Sequence, residues 1–249
     1  MIIGYKRWRS QEYLLDRMTS RGLAKAYLTY PAIQVYLLLA VVSIGAALYF
    51  LESPLPVMAA AVLAVLVYPL VWYLLHRFVL HGRFLYKSAH TAALWKRIHF
   101  DHHQNPNDLA VLFGGLHTTL PTIAVVTIAL GWIIGGPAGA AAAFAGGLLT
   151  TCFYEYCHCI QHLDYKPKFK FLQRIKRLHL AHHFHNERGN FGITNFLWDR
   201  LLATYYAKPG LVPRSETVRN LGYRGGECER YPWVARLSQG TAEAAPAKA

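Results

Sequence analysis

Two pairs of long apolar runs dominate the pattern of hydrophobic and polar positions along the chain. The first pair covers residues 31–51 and 55–75, separated by the helix-breaking sequence Glu52-Ser53-Pro54. A helix of about 20 apolar residues, rising about 1.5 Å per residue, crosses the roughly 30 Å hydrocarbon core of a membrane. The first pair therefore predicts two antiparallel membrane helices joined by a very short loop.

The second pair of apolar runs covers residues 109–134 and 140–156, with the glycine-rich sequence 135–139 as the turn between them. Pro121 predicts a kink in the third helix, because a proline inside a helix removes a backbone hydrogen bond. The fold predicted from the four runs is all-α, with four transmembrane helices arranged as two hairpins.

Positive charge is absent from both predicted hairpins. The chain has 26 lysines and arginines against 13 aspartates and glutamates, a net charge of +13, yet no basic residue lies within 31–75 or 98–165. Cytoplasmic segments of membrane proteins carry the excess of lysine and arginine. We therefore predict an integral membrane protein with both termini in the cytoplasm. Nucleic-acid binding is not expected, because no recognition motif accompanies the charge.

The chain divides into three predicted parts. Residues 1–30 form a basic amphipathic segment of the kind that lies on a membrane surface. Residues 31–206 form the membrane-embedded domain. Residues 207–249 form a C-terminal extension rich in proline and glycine, in which 240–249 are predicted to be disordered. Four cysteines show no C-x-x-C pair and are interpreted as buried thiols: Cys152, Cys157, Cys159 and Cys228.

Histidine is the residue type that points to chemistry. The spacing i, i+3, i+4, which occurs twice, places three side chains on one face of a helix. A pair at i, i+4 also shares a face, whereas a pair at i, i+5 lies about 140° apart on a regular helix, so that one member is expected beyond the helix end. Ten of the 13 histidines belong to such clusters: His76 and His81; His99, His102 and His103; His158 and His162; His179, His182 and His183.

The clusters predict a dimetal centre. Neutral imidazole suits zinc, copper, iron and nickel, and ten ligands exceed the needs of one four-coordinate metal. At a membrane face, two metals with about five nitrogens each indicate oxygen chemistry on an apolar substrate, because unactivated C–H bonds require a redox metal and O2. A zinc hydrolase would need a glutamate that the clusters lack. A metal transporter is the remote alternative, but transporters place their ligands near the bilayer midplane.

The order and spacing of the clusters resemble the fatty acid hydroxylase superfamily, which includes fatty acid 2-hydroxylases, sterol desaturases, methyl-sterol oxidases and carotenoid hydroxylases. The resemblance covers residues 60–206 and fills all ten histidine positions. The first box, 76–81, is similar to that of the 2-hydroxylases. The stretches 146–158 and 191–199 are similar to the fourth span and to the segment that follows the last box.

The resemblance implies that the ten histidines bind two iron ions beneath a cytoplasmic helical cap, and that no other residue is directly catalytic. It implies insertion of one oxygen atom from O2 into a C–H bond of a fatty acyl chain, free or within a sphingolipid or other acyl-lipid. Oxidation of a sterol, carotenoid or ornithine lipid, and desaturation, remain open. Zinc is expected in the purified protein, because it outcompetes ferrous iron at histidine sites.

Two further expectations concern residues and partners around the metals. Glu155, one turn before His158, and Asp199 are the candidates for carboxylates that hold ligand histidines, with Asp101 ranked lower. Only 30 residues precede the first predicted span, too few for a fused cytochrome b5 domain. A separate electron donor of the ferredoxin, flavodoxin or cytochrome b5 type is therefore expected. The C-terminus lacks a dilysine signal, which favours a bacterial inner membrane over the endoplasmic reticulum.

Overall fold

The structure is a computed structural model that describes residues 13–243, and almost all of its regular structure is helical. One isolated β-bridge joins Leu14 to Asp108. The α-helices are α1 (Ser20–Leu28), α2 (Pro31–Tyr49), α3 (Pro54–Leu74), α4 (Ala89–Trp95), α5 (Asp101–Gln104), α6 (Leu109–Leu112), α7 (Leu116–His162), α8 (Lys170–Phe184), α9 (Leu197–Leu201), α10 (Gly226–Arg230) and α11 (Trp233–Glu243).

Short helical turns of other types connect these helices. Turns of 3-10 helix lie at Leu15–Arg17, Leu85–Lys87 and Pro209–Leu211. Two π-helical turns, Leu75–Leu80 and Lys96–Phe100, continue α3 and α4 respectively. Each π-turn contains the first histidine of a predicted cluster, His76 and His99 respectively.

Within residues 13–243, three helical stretches are long and apolar enough to cross a membrane: α2, α3 with the turns that follow it, and the stretch that contains α7. α2 and α3 begin at Pro31 and Pro54, where the missing N–H of proline costs nothing. Their bounds agree closely with the predicted runs 31–51 and 55–75. Large apolar side chains such as Val41 stay exposed on these helices, as contact with lipid requires.

α7 is interrupted at Gly135 and Gly136, where the backbone leaves the helical region. The two arms then run side by side: a Cβ added to Gly131 would lie 2.3 Å from the carbonyl oxygen of Gly139. Pro121 lies inside α7 with helical dihedral angles, and the kink expected there stays a prediction. The sequence prediction was wrong about the start of the third long helix, because 109–112 form the separate helix α6.

The N-terminal segment is part of the folded core over its described length. Leu15 and Leu23 are fully buried, and the Tyr27 hydroxyl donates to the carbonyl of Cys152 in α7 at 2.5 Å. The segment is therefore packed between the helices rather than lying only on a membrane surface. Residues 1–12, which carry much of its predicted basic charge, lie outside the described residues.

The C-terminal extension also packs against the domain that precedes it. Tyr223 and Val234 join Tyr86 and Trp95 in one buried apolar cluster. Residues 240–243, predicted to be disordered, continue α11, and 244–249 lie outside the described residues. The boundary predicted at residue 206 therefore does not separate two independent packing units.

Candidate metal centre

The ten clustered histidines converge on one site as two groups of five. Within each group, one ring nitrogen from every histidine lies within 4.8 Å of the others. Each H-x-x-H-H cluster contributes to both groups. The first group is His76, His81, His99, His103 and His182, and the second group is His102, His158, His162, His179 and His183.

A π-turn explains how His76 and His81 come to share a face. The N–H of His81 donates to the carbonyl of His76 at 3.1 Å, the i to i+5 bond of a π-helix. In a π-turn each hydrogen bond spans five residues instead of the four of an α-helix. Side chains five positions apart therefore lie on the same face. The two Nε2 atoms are 3.3 Å apart. The 140° separation expected on a regular helix is therefore not found.

The second π-turn positions the cluster that starts at His99. The N–H of Asp101 donates to the carbonyl of Lys96, again an i to i+5 bond, and the Lys96 ammonium pairs with the Asp101 carboxylate at 2.7 Å. The Trp95 indole donates to the carbonyl of Leu80 at 2.9 Å and so ties one π-turn to the other. His99 thereby approaches His81, with their Nε2 atoms 2.8 Å apart.

The spacing of the ring nitrogens fits neighbouring ligands of a metal ion. The Nε2 atoms of His102 and His158 are 3.0 Å apart, and those of His162 and His179 are 2.9 Å apart. Two nitrogens bound at about 2.1 Å and at right angles about a metal lie roughly 3.0 Å from each other. The observed separations agree with that geometry in both groups.

Several ring nitrogens in the site are buried with no hydrogen-bond partner among the described residues. They include Nε2 of His103, Nε2 of His182 and both nitrogens of His183. Leaving such atoms unpaired is costly in a protein interior, and a metal ion would satisfy them. Burial and the neighbouring imidazoles also lower the pKa of His182 and His183, and burial lowers the pKa of His103 to about 3. These rings are therefore neutral at pH 7, the form that binds metal.

Backbone carbonyls hold three histidines of the first group. The Nδ1 atom of His76 lies 2.6 Å from the carbonyl oxygen of Phe191. The Nδ1 atom of His182 lies 2.8 Å from the carbonyl oxygen of Gly189, and the Nδ1 atom of His103 lies 2.9 Å from the carbonyl oxygen of Val218. A histidine that donates Nδ1–H to a carbonyl presents an unprotonated Nε2 to a metal. Nothing in the sequence pattern marked Gly189 or Val218, because any residue type supplies a carbonyl.

The two predicted carboxylates occupy different positions from those expected. Asp199 is buried and accepts hydrogen bonds from the N–H groups of Phe191 and Gly192 at 2.8 and 2.9 Å. It therefore orders the loop whose carbonyl contacts His76, and none of its described hydrogen bonds reaches an imidazole. Glu155 accepts from the Gly114 N–H at 3.3 Å, and none of its described hydrogen bonds reaches a histidine.

The other polar candidates lie outside both groups. Asp101 pairs with Lys96 as described above. His90 and His117 are exposed and belong to neither group. His185 lies 2.9 Å from the carbonyl of Val212 through its Nε2 atom.

An apolar cavity of about 240 Å³ reaches the histidines of both groups. Its polar lining comes mainly from the histidines, from Glu155 and from a few threonines of α7. A cavity of this character suits an apolar chain. The lining includes Trp72, Leu75, His76, Val79, Leu80, Ile98, His99, His102, Leu112, Thr118, Thr119, Thr122, Tyr154, Glu155, His158 and His183.

The family model for fatty acid hydroxylases matches residues 61–204, which hold all ten histidines. The chain belongs to the fatty acid hydroxylase family. It is 33% identical over 148 residues to fatty acid 2-hydroxylase of Rattus norvegicus, with 57% of this chain and 38% of the relative covered. It is 33% identical to a dihydroceramide fatty acyl 2-hydroxylase of Arabidopsis thaliana, with 57% and 59% covered.

A solved structure shares the fold of this chain. It is full-length Scs7p, in which only the hydroxylase domain is visible, and it superposes with a TM-score of 0.61 at 30% identity over 74% of this chain and 68% of that one. The ceramide very long chain fatty acid hydroxylase of Saccharomyces cerevisiae is 32% identical, with 57% of this chain and 36% of the relative covered. The chain thus spans about two fifths of the length of its rat and yeast relatives.

Proposed function

We propose that the protein is an O2-dependent di-iron monooxygenase that inserts a hydroxyl group into a fatty acyl chain, free or within a sphingolipid or other acyl-lipid. The observation that carries this proposal is the apolar cavity whose wall includes histidines of both five-membered groups. A C–H bond of an apolar chain in this cavity lies beside the candidate metal ligands. The similarity to fatty acid 2-hydroxylases supports the same substrate class.

The first and second groups of histidines would each hold one iron ion. Bound iron supplies O2 activation, in which one oxygen atom enters a C–H bond and the other leaves as water, with two electrons and two protons consumed. The protein keeps the imidazoles neutral by burial and fixes the tautomers of His76, His103 and His182 through backbone carbonyls. Zinc is expected in samples purified without added iron.

The cavity residues would select and align the substrate. Leu75, Val79 and Ile98 exclude water and contact the acyl chain. Glu155 and Thr118 offer polar atoms in the same cavity for the polar end of the lipid. This arrangement would hold the carbons next to the carboxyl end closest to the histidines, and it favours hydroxylation there.

We also propose the topology predicted from the sequence, with four spans in two hairpins and with the termini and histidines in the cytoplasm. The reversal of α7 at Gly135 and Gly136 supports it, because a straight helix of 47 residues would be about 70 Å long, far more than a membrane is thick. The distribution of basic residues supports the orientation. A bacterial inner membrane and a separate electron donor complete the proposal.

Lipid analysis of a bacterial expression host tests the proposed reaction. Total lipids are compared by mass spectrometry among cells that express wild type, His182→Ala and the exposed control His90→Ala. A lipid heavier by one oxygen atom, present with wild type and His90→Ala only, is the expected result. Loss of two hydrogen atoms would instead indicate a desaturase, and fragmentation would reveal a sterol, carotenoid or ornithine lipid.

Metal content gives an independent check on the same protein. Elemental analysis of the purified wild type should find about two metal ions per chain. A wild type that yields no new lipid and holds fewer than two metals contradicts the dimetal proposal. Metal uptake into sealed vesicles would favour the transporter alternative.

A further inference from the structure

A second cavity reaches the histidines from a different side, and it is polar. Its volume is about 320 Å³, and His81 is the one metal-ligand candidate in its lining. His81 is absent from the lining of the apolar cavity, whereas His76, five residues earlier, is present there. The candidate centre therefore has an apolar approach and a polar one. The polar cavity is lined by Arg77, Phe78, His81, Arg83, Glu187, Arg188, Phe191 and Leu221.

The rim of the polar cavity carries excess positive charge. Arg83 is exposed, and the Arg188 side chain is 69% exposed and lies 4.0 Å from the nearest carboxylate oxygen, on Glu187. The Glu187 carboxylate is buried and accepts hydrogen bonds from Ser215 and Thr217. The lining therefore holds three arginines, Arg77, Arg83 and Arg188, against this one carboxylate.

Arg77 and Phe78 add to this rim the residue types that are common at protein–protein interfaces. The Arg77 guanidinium donates to the Tyr73 hydroxyl and to the Leu202 carbonyl, and both acceptors are uncharged. It also lies 4.8 Å from the centre of the Phe78 ring, which is 53% exposed. Arginine and exposed aromatic side chains are enriched where proteins bind each other.

The proposed reaction requires a reductant that approaches from outside the lipid cavity. Insertion of one oxygen atom from O2 into a C–H bond, with release of the other as water, consumes two electrons and two protons. Two molecules of a one-electron carrier are oxidised in each turnover. The acyl chain occupies the apolar approach, so the carrier needs the polar one, and the 2.8 Å contact of His81 with His99 leads from there into the first group.

We infer that the surface formed by Arg77, Phe78, Arg83 and Arg188 around His81 is the docking site of a soluble, acidic one-electron carrier protein. We call it the His81 surface, and the inference rests on the proposed function. Its arginines complement an acidic partner and raise the rate of encounter. Anionic lipid headgroups are the competing ligand for these arginines, and the experiment separates the two.

Binding of an acidic [2Fe–2S] ferredoxin tests the docking site without turnover. The metal-loaded protein is placed in nanodiscs of neutral phosphatidylcholine, and the dissociation constant is measured by biolayer interferometry. The double variant Arg83→Gln/Arg188→Gln should bind ferredoxin roughly tenfold more weakly than wild type. Arg21→Gln/Lys168→Gln, which removes two exposed charges elsewhere, should bind as wild type does. Unchanged metal content shows that the variants are folded.

Salt dependence adds a second readout. Raising the salt from about 0.01 to about 0.15 M shortens the Debye length from about 30 to about 8 Å and should weaken wild-type binding far more than binding of the double variant. The proposal is overturned by a wild type that does not bind ferredoxin, by equal binding of both double variants, or by an effect seen only in nanodiscs with anionic lipid. A wild type that binds ferredoxin but oxidises no lipid contradicts the proposed function alone.

Discussion

The two groups of five histidines are held in different ways. The second group comes entirely from the α-helices α5, α7 and α8, and its described ring hydrogen bonds join one histidine to another, as in His102 with His158. The first group draws His76 and His99 from π-turns, and backbone carbonyls fix three of its rings. Regular α-helices thus supply every histidine of the second group, whereas the first group combines α-helices with π-turns and with carbonyls from loops.

The difference predicts that the two halves respond differently to changes around them. An α-helix keeps its geometry after most single substitutions, because many backbone hydrogen bonds hold it together. A loop that presents one carbonyl to one imidazole depends on a few contacts. We therefore expect substitutions outside the metal ligands to weaken metal binding by the first group more than by the second. A change that acts on every histidine, such as protonation, should affect both groups.

Acid should have the largest effect, and it acts on both groups. Burial lowers the pKa of His99, His102, His103, His179, His182 and His183 below the value of about 6.5 found in unfolded chains. Between pH 6.5 and the lowered pKa of the folded rings, the unfolded chain binds more protons than the folded chain does. The folded state therefore has its full stability above pH 6.5 and loses stability as the pH drops. Each histidine contributes about 1.4 kcal/mol per pH unit, several kcal/mol in total.

Thermal unfolding of the metal-stripped protein in detergent, from about pH 7.5 to pH 5, measures this effect. The metal-loaded protein is the control, because bound metal opposes protonation of its ligands. A metal-stripped protein that is equally stable across this range would contradict the assigned burial of the rings.

Removal of a single metal-ligand histidine should have the second-largest effect. His99→Ala and His162→Ala each take one imidazole from the first and second group respectively. Activity should fall by more than about 100-fold in both, since changes to the partners of ligands alone cost about 10- to 100-fold. Elemental analysis should find about one metal per chain in each variant, with His90→Ala as control. Loss of both metals from either variant would show that the groups are not held separately.

The sequence predicts which histidines share a helix face, but it does not predict which histidines join across helices. Spacings of three and four residues place His158 and His162 on one face of α7, and His179 and His183 on one face of α8. The pairing of His76 with His81 needs a π-turn, which no hydrophobic pattern predicts. The carbonyls of Gly189 and Val218 carry no side-chain signature. The turn at 135–139 was predicted because glycine allows backbone angles that other residues avoid, as at Gly136.

Packing, rather than pattern, accounts for the remaining differences. Residues 207–249 look like a loose extension in the sequence, yet Val218 contacts His103 and Tyr223 packs on Trp95. Leu15 and Leu23 look like the apolar face of a surface helix, yet they fill the core beneath α7. An amphipathic face alone does not reveal whether lipid or protein covers it.

Asp199→Asn should have a smaller effect than ligand removal, and it should be confined to the first group. The substitution replaces a carboxylate oxygen that accepts from Phe191 or Gly192 by an amide nitrogen, which loosens the carbonyl held against His76. The affinity for one metal should fall about tenfold. Competition with a chelator measures both affinities, and the exposed Asp164→Asn is the control. Equal weakening of both metals would contradict the comparison.

Asp101→Asn should have the smallest effect, because the residue supports only the second π-turn. Its pair with Lys96 is largely shielded from solvent, with side chains 21% and 13% exposed, and its loss should cost roughly 1 kcal/mol of stability. His99 in the π-turn belongs to the first group and His102 in α5 to the second. A shift of the π-turn should therefore weaken the first metal slightly and leave the second unchanged in the chelator assay. If the second metal were weakened more, α5 would depend on this ion pair, and helix geometry alone would not account for the second group.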